Sequence, residues 1–176
     1  MKKRIIALGL LWCLSAVMLQ AARVDTVLVR SAAMNKDVKV VYVLPDKAIG
    51  KQACPVVYLL HGYGGNARSW VQLKPELPQM ADEKGIIFVC PDGKNSWYWD
   101  SPENPAYRYE TFVTSELVKY TDGNYATIPD RKARAISGLS MGGHGALWSA
   151  IRHKDVFGAA GSMSGGVDIR AVPPNW

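Results

Sequence analysis

The sequence predicts an α/β domain, a mostly parallel sheet with helices on both faces. Three observations carry this. Short β-branched runs alternate with helical stretches, the pattern of strand–helix–strand units. Two of the runs, "PVVYLLHG" and "IIFVCPDG", are apolar without interruption, as strands buried on both faces should be. The 176 residues are 48% hydrophobic and 20% charged, which suits one globular domain with a real core. No internal repeat is visible at solenoid spacing.

The elements follow in order. Lys2, Lys3 and Arg4 precede an uncharged apolar run from Ile5 to Leu19, and "QAA" closes it with Ala21 or Ala22 as the small residue before a cut. Residues 1–22 therefore read as a secretory signal peptide, and the product is expected in the periplasm or secreted. The run is shorter than the roughly 20 residues a spanning helix needs, so no stable membrane anchor is expected. Without the leader the net charge falls from +6 to +3 and no basic stripe remains, so no nucleic-acid partner is expected. "VDTVLVR" (Val24 to Arg30) and "DVKVVYVLP" (Asp37 to Pro45) read as an antiparallel pair. Buried strands follow at Pro55–Gly62 and Ile86–Gly93, with weaker runs at Ala133–Gly138 and Gly158–Gly165. Between them, "LPQMADEKG" has Pro78 near its start and Gly85 as its stop. "YRYETFVTSELVKYTDG" puts Tyr109, Phe112, Val113, Leu117 and Tyr120 on one helical face, with Gly123 ending the helix. Cys54 and Cys90 fall at opposite ends of neighbouring strands, farther apart than the roughly 7 Å a disulfide allows, and read as buried thiols. "PDGKNSWYWDSPENPAY" (Pro91 to Tyr107) is a polar and aromatic loop leaving the carboxyl end of a strand, where open α/β sheets bind ligands.

Gly138-Leu139-Ser140-Met141-Gly142 lies between the fifth strand and the helical "HGALWSAIRHK". This is the G-x-S-x-G nucleophile elbow, whose sharp turn leaves no room for side chains two positions either side of the serine. Ser140 is the candidate nucleophile. "HGYGG" (His61 to Gly65) closes the third strand and corresponds to the loop that supplies an oxyanion donor, so the backbone N–H groups of Tyr63 and Met141 are the candidate oxyanion pair. His61 itself reads as a packed structural histidine. Trp97, Tyr98 and Trp99 either line an acyl or aromatic substrate pocket or anchor their loop. No metal-ligand spacing and no phosphate loop is present, so neither metal nor cofactor is expected.

"YLLHGYGGNARSW", "YETFVTSEL" and "RKARAISGLSMGGHGALWSAIRHKDVFGAAGSMSG", in this order, resemble the α/β-hydrolase family of esterase D, S-formylglutathione hydrolases and bacterial feruloyl and acyl esterases. The resemblance spans Arg23 to Trp176. It implies hydrolysis of small-molecule or polysaccharide-linked esters, with short acyl, acetyl or feruloyl groups, through an acyl-enzyme on Ser140. It also implies a serine, acid, histidine order along the chain. Only His144 and His153 follow Ser140. His144 sits in the first turn of the same helix and reads as packing. His153 is about 20 Å along the axis, too far to serve as base. Asp168 reads as a surface loop residue. The acid and histidine are therefore expected beyond Trp176, and residues 23–176 as the front two-thirds of a hydrolase domain missing its last strands. An uncovered sheet edge, with self-association through it, is expected from that reading. Two rivals remain: an inactive fragment or carbohydrate-binding relic, and a thioesterase or acyltransferase of the same fold.

Overall fold

The computed structural model describes residues 22–168. The elements are β1 (Arg23–Ser31), β2 (Lys36–Leu44), α1 (Asp46–Ile49), β3 (Val56–Leu60), α2 (Ser69–Leu73), α3 (Leu77–Lys84), β4 (Ile87–Pro91), α4 (Tyr109–Thr111), a π-helical turn (Phe112–Glu116), α5 (Leu117–Asn124), a 3-10 turn (Arg131–Ala133), β5 (Arg134–Leu139), α6 (Met141–Arg152) and β6 (Ala159–Met163). The sheet runs β1-β2-β4-β3-β5-β6. β1 and β2 form the expected antiparallel hairpin, and β2 also meets β4 antiparallel. From β4 onward every pairing is parallel.

Alternation along the strands splits the core in two. Val41 and Val43 of β2, with Leu59, Phe88 and Cys90, face α2 and α3 through Trp70, Leu77 and Ala81. Val40, Tyr42, Tyr58, Leu60, Val89 and Ile136 face the other way, onto Tyr109, Phe112, Val113, Leu117 and Met141. This is the period-2 partition of a sheet covered on both faces. Cys54 and Cys90 are both buried and free, on opposite faces, and burial raises both thiols above the usual range.

The helix over 109–124 departs from the sequence reading at one place. Its π-helical turn inserts one residue and rotates the helical face of the residues after it. Thr121 is fully buried in the next turn, its hydroxyl 2.9 Å from Tyr42 Oη, and Tyr120 packs half-buried against the same core. The helix ends at Asn124, one residue past Gly123. β6 is the outermost of the described strands. It pairs with β5 alone among them, and its residues are exposed apart from half-buried Gly161. The leader expectation falls on residues 1–21, outside the described ones, and on Ala22. No helix among the described residues is long and apolar enough to cross a membrane.

Candidate active site

β5 delivers the chain to the carboxyl edge of the sheet between β3 and β6. There Ser140 turns it back into α6 with φ 54° and ψ −117°. A non-glycine residue with this backbone stores strain, and the surroundings must impose it. The restraints are visible. Ser140 N–H donates to Met163 O at 2.8 Å, and Ser140 O accepts the His144 N–H at 3.0 Å to open the helix. The flanking glycines make the turn possible. A Cβ on Gly138 would lie 2.2 Å from Gly142 O, and one on Gly142 would lie 2.2 Å from Leu60 O. Ser140 itself is exposed, and none of the described residues hydrogen-bonds its Oγ.

The candidate oxyanion pair frames this hydroxyl. Met141 is the first residue of α6, so its N–H belongs to the unpaired set at the positive end of the helix dipole. Tyr63 is the second residue of a turn closed by Gly65 N–H to Gly62 O at 3.0 Å. Gly64 supplies the positive φ, 77°, that a type II turn requires at its third position. Gly62 packs against the elbow: a Cβ there would stand 3.6 Å from Ser140 Cβ. Among the described residues neither the Tyr63 nor the Met141 N–H has an acceptor.

The turn is supported from beneath by the 91–107 loop. Asn95 Oδ1 accepts the Gly64 N–H at 2.8 Å. His61 is the structural residue expected: Nδ1 lies 2.7 Å from Gly62 O, Nε2 accepts the Gly93 N–H at 2.9 Å, and the ring is 2% exposed. Tyr98 is fully buried, its Oη accepting the His61 N–H at 2.9 Å, with its ring against Gly93 and Gly145. The pocket alternative is thereby corrected for Tyr98: a residue with no exposed surface anchors the loop and touches no substrate. Lys94, Trp97 and Tyr98 all have positive φ, so strain is concentrated in this support as well. Trp97 and Trp99 are half-buried and pack on His144, with ring centroids 5.4 and 5.3 Å away.

His144 is fully engaged. Its Nε2 accepts Trp99 Nε1–H at 2.8 Å and its Nδ1 lies 2.7 Å from Gly166 O. Neither nitrogen is left to serve Ser140. Burial lowers its pKa below 6.5, with the Gly166 contact opposing. A base with a depressed folded pKa binds protons more readily once unfolded, so stability is full above pH 6.5 and falls as pH drops through the folded value. Thermal melts from pH 7.5 down to 5 are expected to show declining stability with a change in tryptophan emission. His144→Gln is expected to flatten that part of the profile.

His153 stands at the far end of α6, its Nε2 2.8 Å from Glu110 Oε1. Glu110 also accepts Trp148 Nε1–H at 2.8 Å and Arg152 Nε–H at 2.7 Å. Burial would raise this carboxyl, but the Trp148, Arg152 and His153 hydrogen bonds outweigh it and hold the pKa below the usual value. A cleft of about 520 Å³ opens beside this network, lined in part by Trp99, Asp100, Ser115, Trp148 and His153. Asp168 is exposed, as a surface aspartate should be. Among the described residues no cluster of three or more His, Cys, Asp or Glu could hold a metal.

The sequence model of the family described as "Putative esterase" matches residues 31–176. The chain belongs to this esterase family. It is 27% identical over 150 residues to the acetyl esterase of Caldicellulosiruptor saccharolyticus, covering 81% of this chain and 56% of that one. It is 34% identical over 155 residues to the diacylglycerol acyltransferase/mycolyltransferase Ag85A of Mycobacterium gordonae, covering 82% and 43%. A solved ferulic acid esterase superposes with a TM-score of 0.73 at 31% identity, over 85% of this chain and 62% of that one. The fold is that of the α/β-hydrolase esterases. The chain spans about half the length of these two curated relatives.

Asn95 holds the turn beside Ser140, and Glu110 and Trp148 belong to the network at the far end of α6; sequence reasoning missed all three. No spacing marks them, because each acts on a partner distant in the chain. The one local signal for Asn95 is its place in the loop at the carboxyl end of β4. Asn95→Ala is expected to lower kcat of an ester-hydrolysing protein about tenfold with little change in KM, because the turn carrying the Tyr63 N–H loses its outer support. Initial-rate kinetics on an aryl ester check this.

Proposed function

We propose that the protein is an exported serine carboxylesterase. One observation carries the reading: a strained, exposed Ser140 stands at a helix N-terminus, with the Met141 and Tyr63 N–H groups given no acceptor among the described residues and so able to receive an oxyanion. Ser140 Oγ attacks the ester carbonyl carbon, and the carbonyl oxygen takes the negative charge onto the two amides. The C–O bond to the alcohol then breaks, the alcohol leaves with a proton, and water releases the acid from the acyl-enzyme. The step needs a general base. The three histidines of the sequence do not supply it: His61 and His144 have both nitrogens committed, and His153 pairs with Glu110 about 20 Å along α6. That the chain spans about half the length of its curated relatives supports a base and acid carried by further polypeptide.

Similarity to an acetyl esterase and a ferulic acid esterase supports short acyl or feruloyl esters, free or polysaccharide-linked, as substrates. The basic, apolar, small-residue leader supports export to the periplasm or beyond. For the 176-residue chain by itself, the exposed residues of β6 support self-association along the sheet edge. A second reading, acyl transfer to an alcohol in place of water, is favoured by the 34% identity to an acyltransferase.

The test compares 4-nitrophenyl acetate and a feruloyl ester as substrates for the product of the native gene and its Ser140→Ala variant. Turnover lost in the variant by at least about a thousandfold is expected. Turnover unaffected by the substitution, or absent from the unsubstituted protein, sinks the reading in favour of a binding relic. Adding a glycerol or sugar acceptor separates hydrolase from transferase by the product formed.

A further inference from the structure

Ala22 immediately precedes β1, yet it is not a dangling end. It is 6% exposed and packs in the face of the core that holds Val41, Val43, Phe88 and Cys90. Its nitrogen donates to Asp82 Oδ2 on α3 at 2.7 Å. The other oxygen of the same carboxylate accepts the Asp46 N–H at the start of α1, at 2.8 Å. Asp82 thus joins three segments far apart in sequence: the entrance to β1, the turn after β2, and α3.

We propose that maturation cuts the chain between Ala21 and Ala22, and that the α-ammonium so created at Ala22 is the permanent partner of Asp82. The inference rests on the export reading above. Both alanines satisfy a peptidase that wants a small residue before the scissile bond. The fold separates them. A cut after Ala22 removes a buried methyl group, leaves Asp82 Oδ2 without its donor, and puts the new terminus on Arg23, the first paired residue of β1. A cut after Ala21 leaves every contact of Ala22 in place. Water adds across the Ala21–Ala22 peptide bond: the hydroxyl completes the Ala21 carboxyl, and the released amine of Ala22 takes up a proton from solvent at neutral pH. An amide-to-carboxylate hydrogen bond thereby becomes an ammonium-to-carboxylate one, shorter in type and stronger. Processing does more than release the protein: it tightens the corner where β1 enters the sheet.

Intact mass and N-terminal sequencing of the product, expressed from its native gene in an exporting cell, test the site. A terminus at Ala22 is expected. A retained leader overturns the export reading, and this inference falls with it. A terminus at Arg23 or elsewhere overturns this inference alone. The pairing is tested separately by melting the mature protein and its Asp82→Asn variant, each with the α-amine free and acetylated. Asp82→Asn is expected to lower Tm by about 3 °C more when the amine is free. Equal shifts in the two forms overturn the ion pair.

Discussion

Gly142→Ala is expected to cost about 3 kcal/mol or more of stability, and expression of soluble protein should fall with it. The added Cβ would stand 2.2 Å from Leu60 O, 2.5 Å from Leu60 C and 2.7 Å from His61 O. All three are backbone atoms at the end of β3, a strand hydrogen-bonded on both sides by β4 and β5. A flexible side chain could swing away, but a central strand cannot, so the clash must be relieved by lifting α6 off the sheet. That movement would carry the Met141 N–H with it and dismantle the oxyanion site before any substrate arrived. Gly123 is the internal comparison. It lies in α5 with nothing within 4 Å of an added Cβ. Gly123→Ala is expected to stabilise by about 0.5–1 kcal/mol, by the helix propensity of alanine and the lower entropy of its unfolded chain. Urea denaturation of the two variants beside the parent protein checks both. Similar values for the two would mean that space at the elbow is not what selects glycine.

Ser140→Gly is expected to abolish ester turnover and to raise stability by about 1 kcal/mol. The two effects have one origin. At φ 54° and ψ −117° the serine Cβ is held where L-residues are disfavoured, and glycine enters that region without the penalty. No hydrogen bond is lost in exchange, because none of the described residues holds the Ser140 Oγ. Ser140→Ala keeps the Cβ and so keeps the strain. It should lose activity with stability close to the parent. A melt of the three proteins separates strain from chemistry: glycine above serine, alanine level with serine. If glycine gives no gain, the elbow is not storing energy.

The framework of the fold was legible because its signals are local. Period-2 alternation, uninterrupted apolar runs and the spacing of Gly138, Ser140 and Gly142 need no knowledge of distant partners. Each led to the observed strand, hairpin or turn. The helix over 109–124 shows where local reading stops. A 3.6-residue period assigns Tyr120 to the buried face, where it packs half-buried against the core, but it does not foresee that Thr121 is the fully enclosed residue beside it, its hydroxyl meeting Tyr42. The support of the site was hidden for the same reason. Asn95 means nothing until β4 brings it beneath Gly64, and Glu110 means nothing until α6 lays Trp148, Arg152 and His153 around it. The three loop aromatics left two readings open. Only burial distinguishes Tyr98, fully enclosed, from its half-buried neighbours Trp97 and Trp99.

The hydrogen bond from Ser140 N–H to Met163 O has a mechanical meaning. A bent spring stays bent only while both ends are gripped, and the tension it holds is limited by the weaker grip. One end of the elbow is clamped by β3 and by α6. The other is held by the carbonyl of a residue at the end of β6, whose side chain is 42% exposed. Among the described strands β6 is held by β5 alone, and the reactive pose of the serine depends on that pairing. Loss of that pairing would release the nucleophile while β3 and α6 still held the other end.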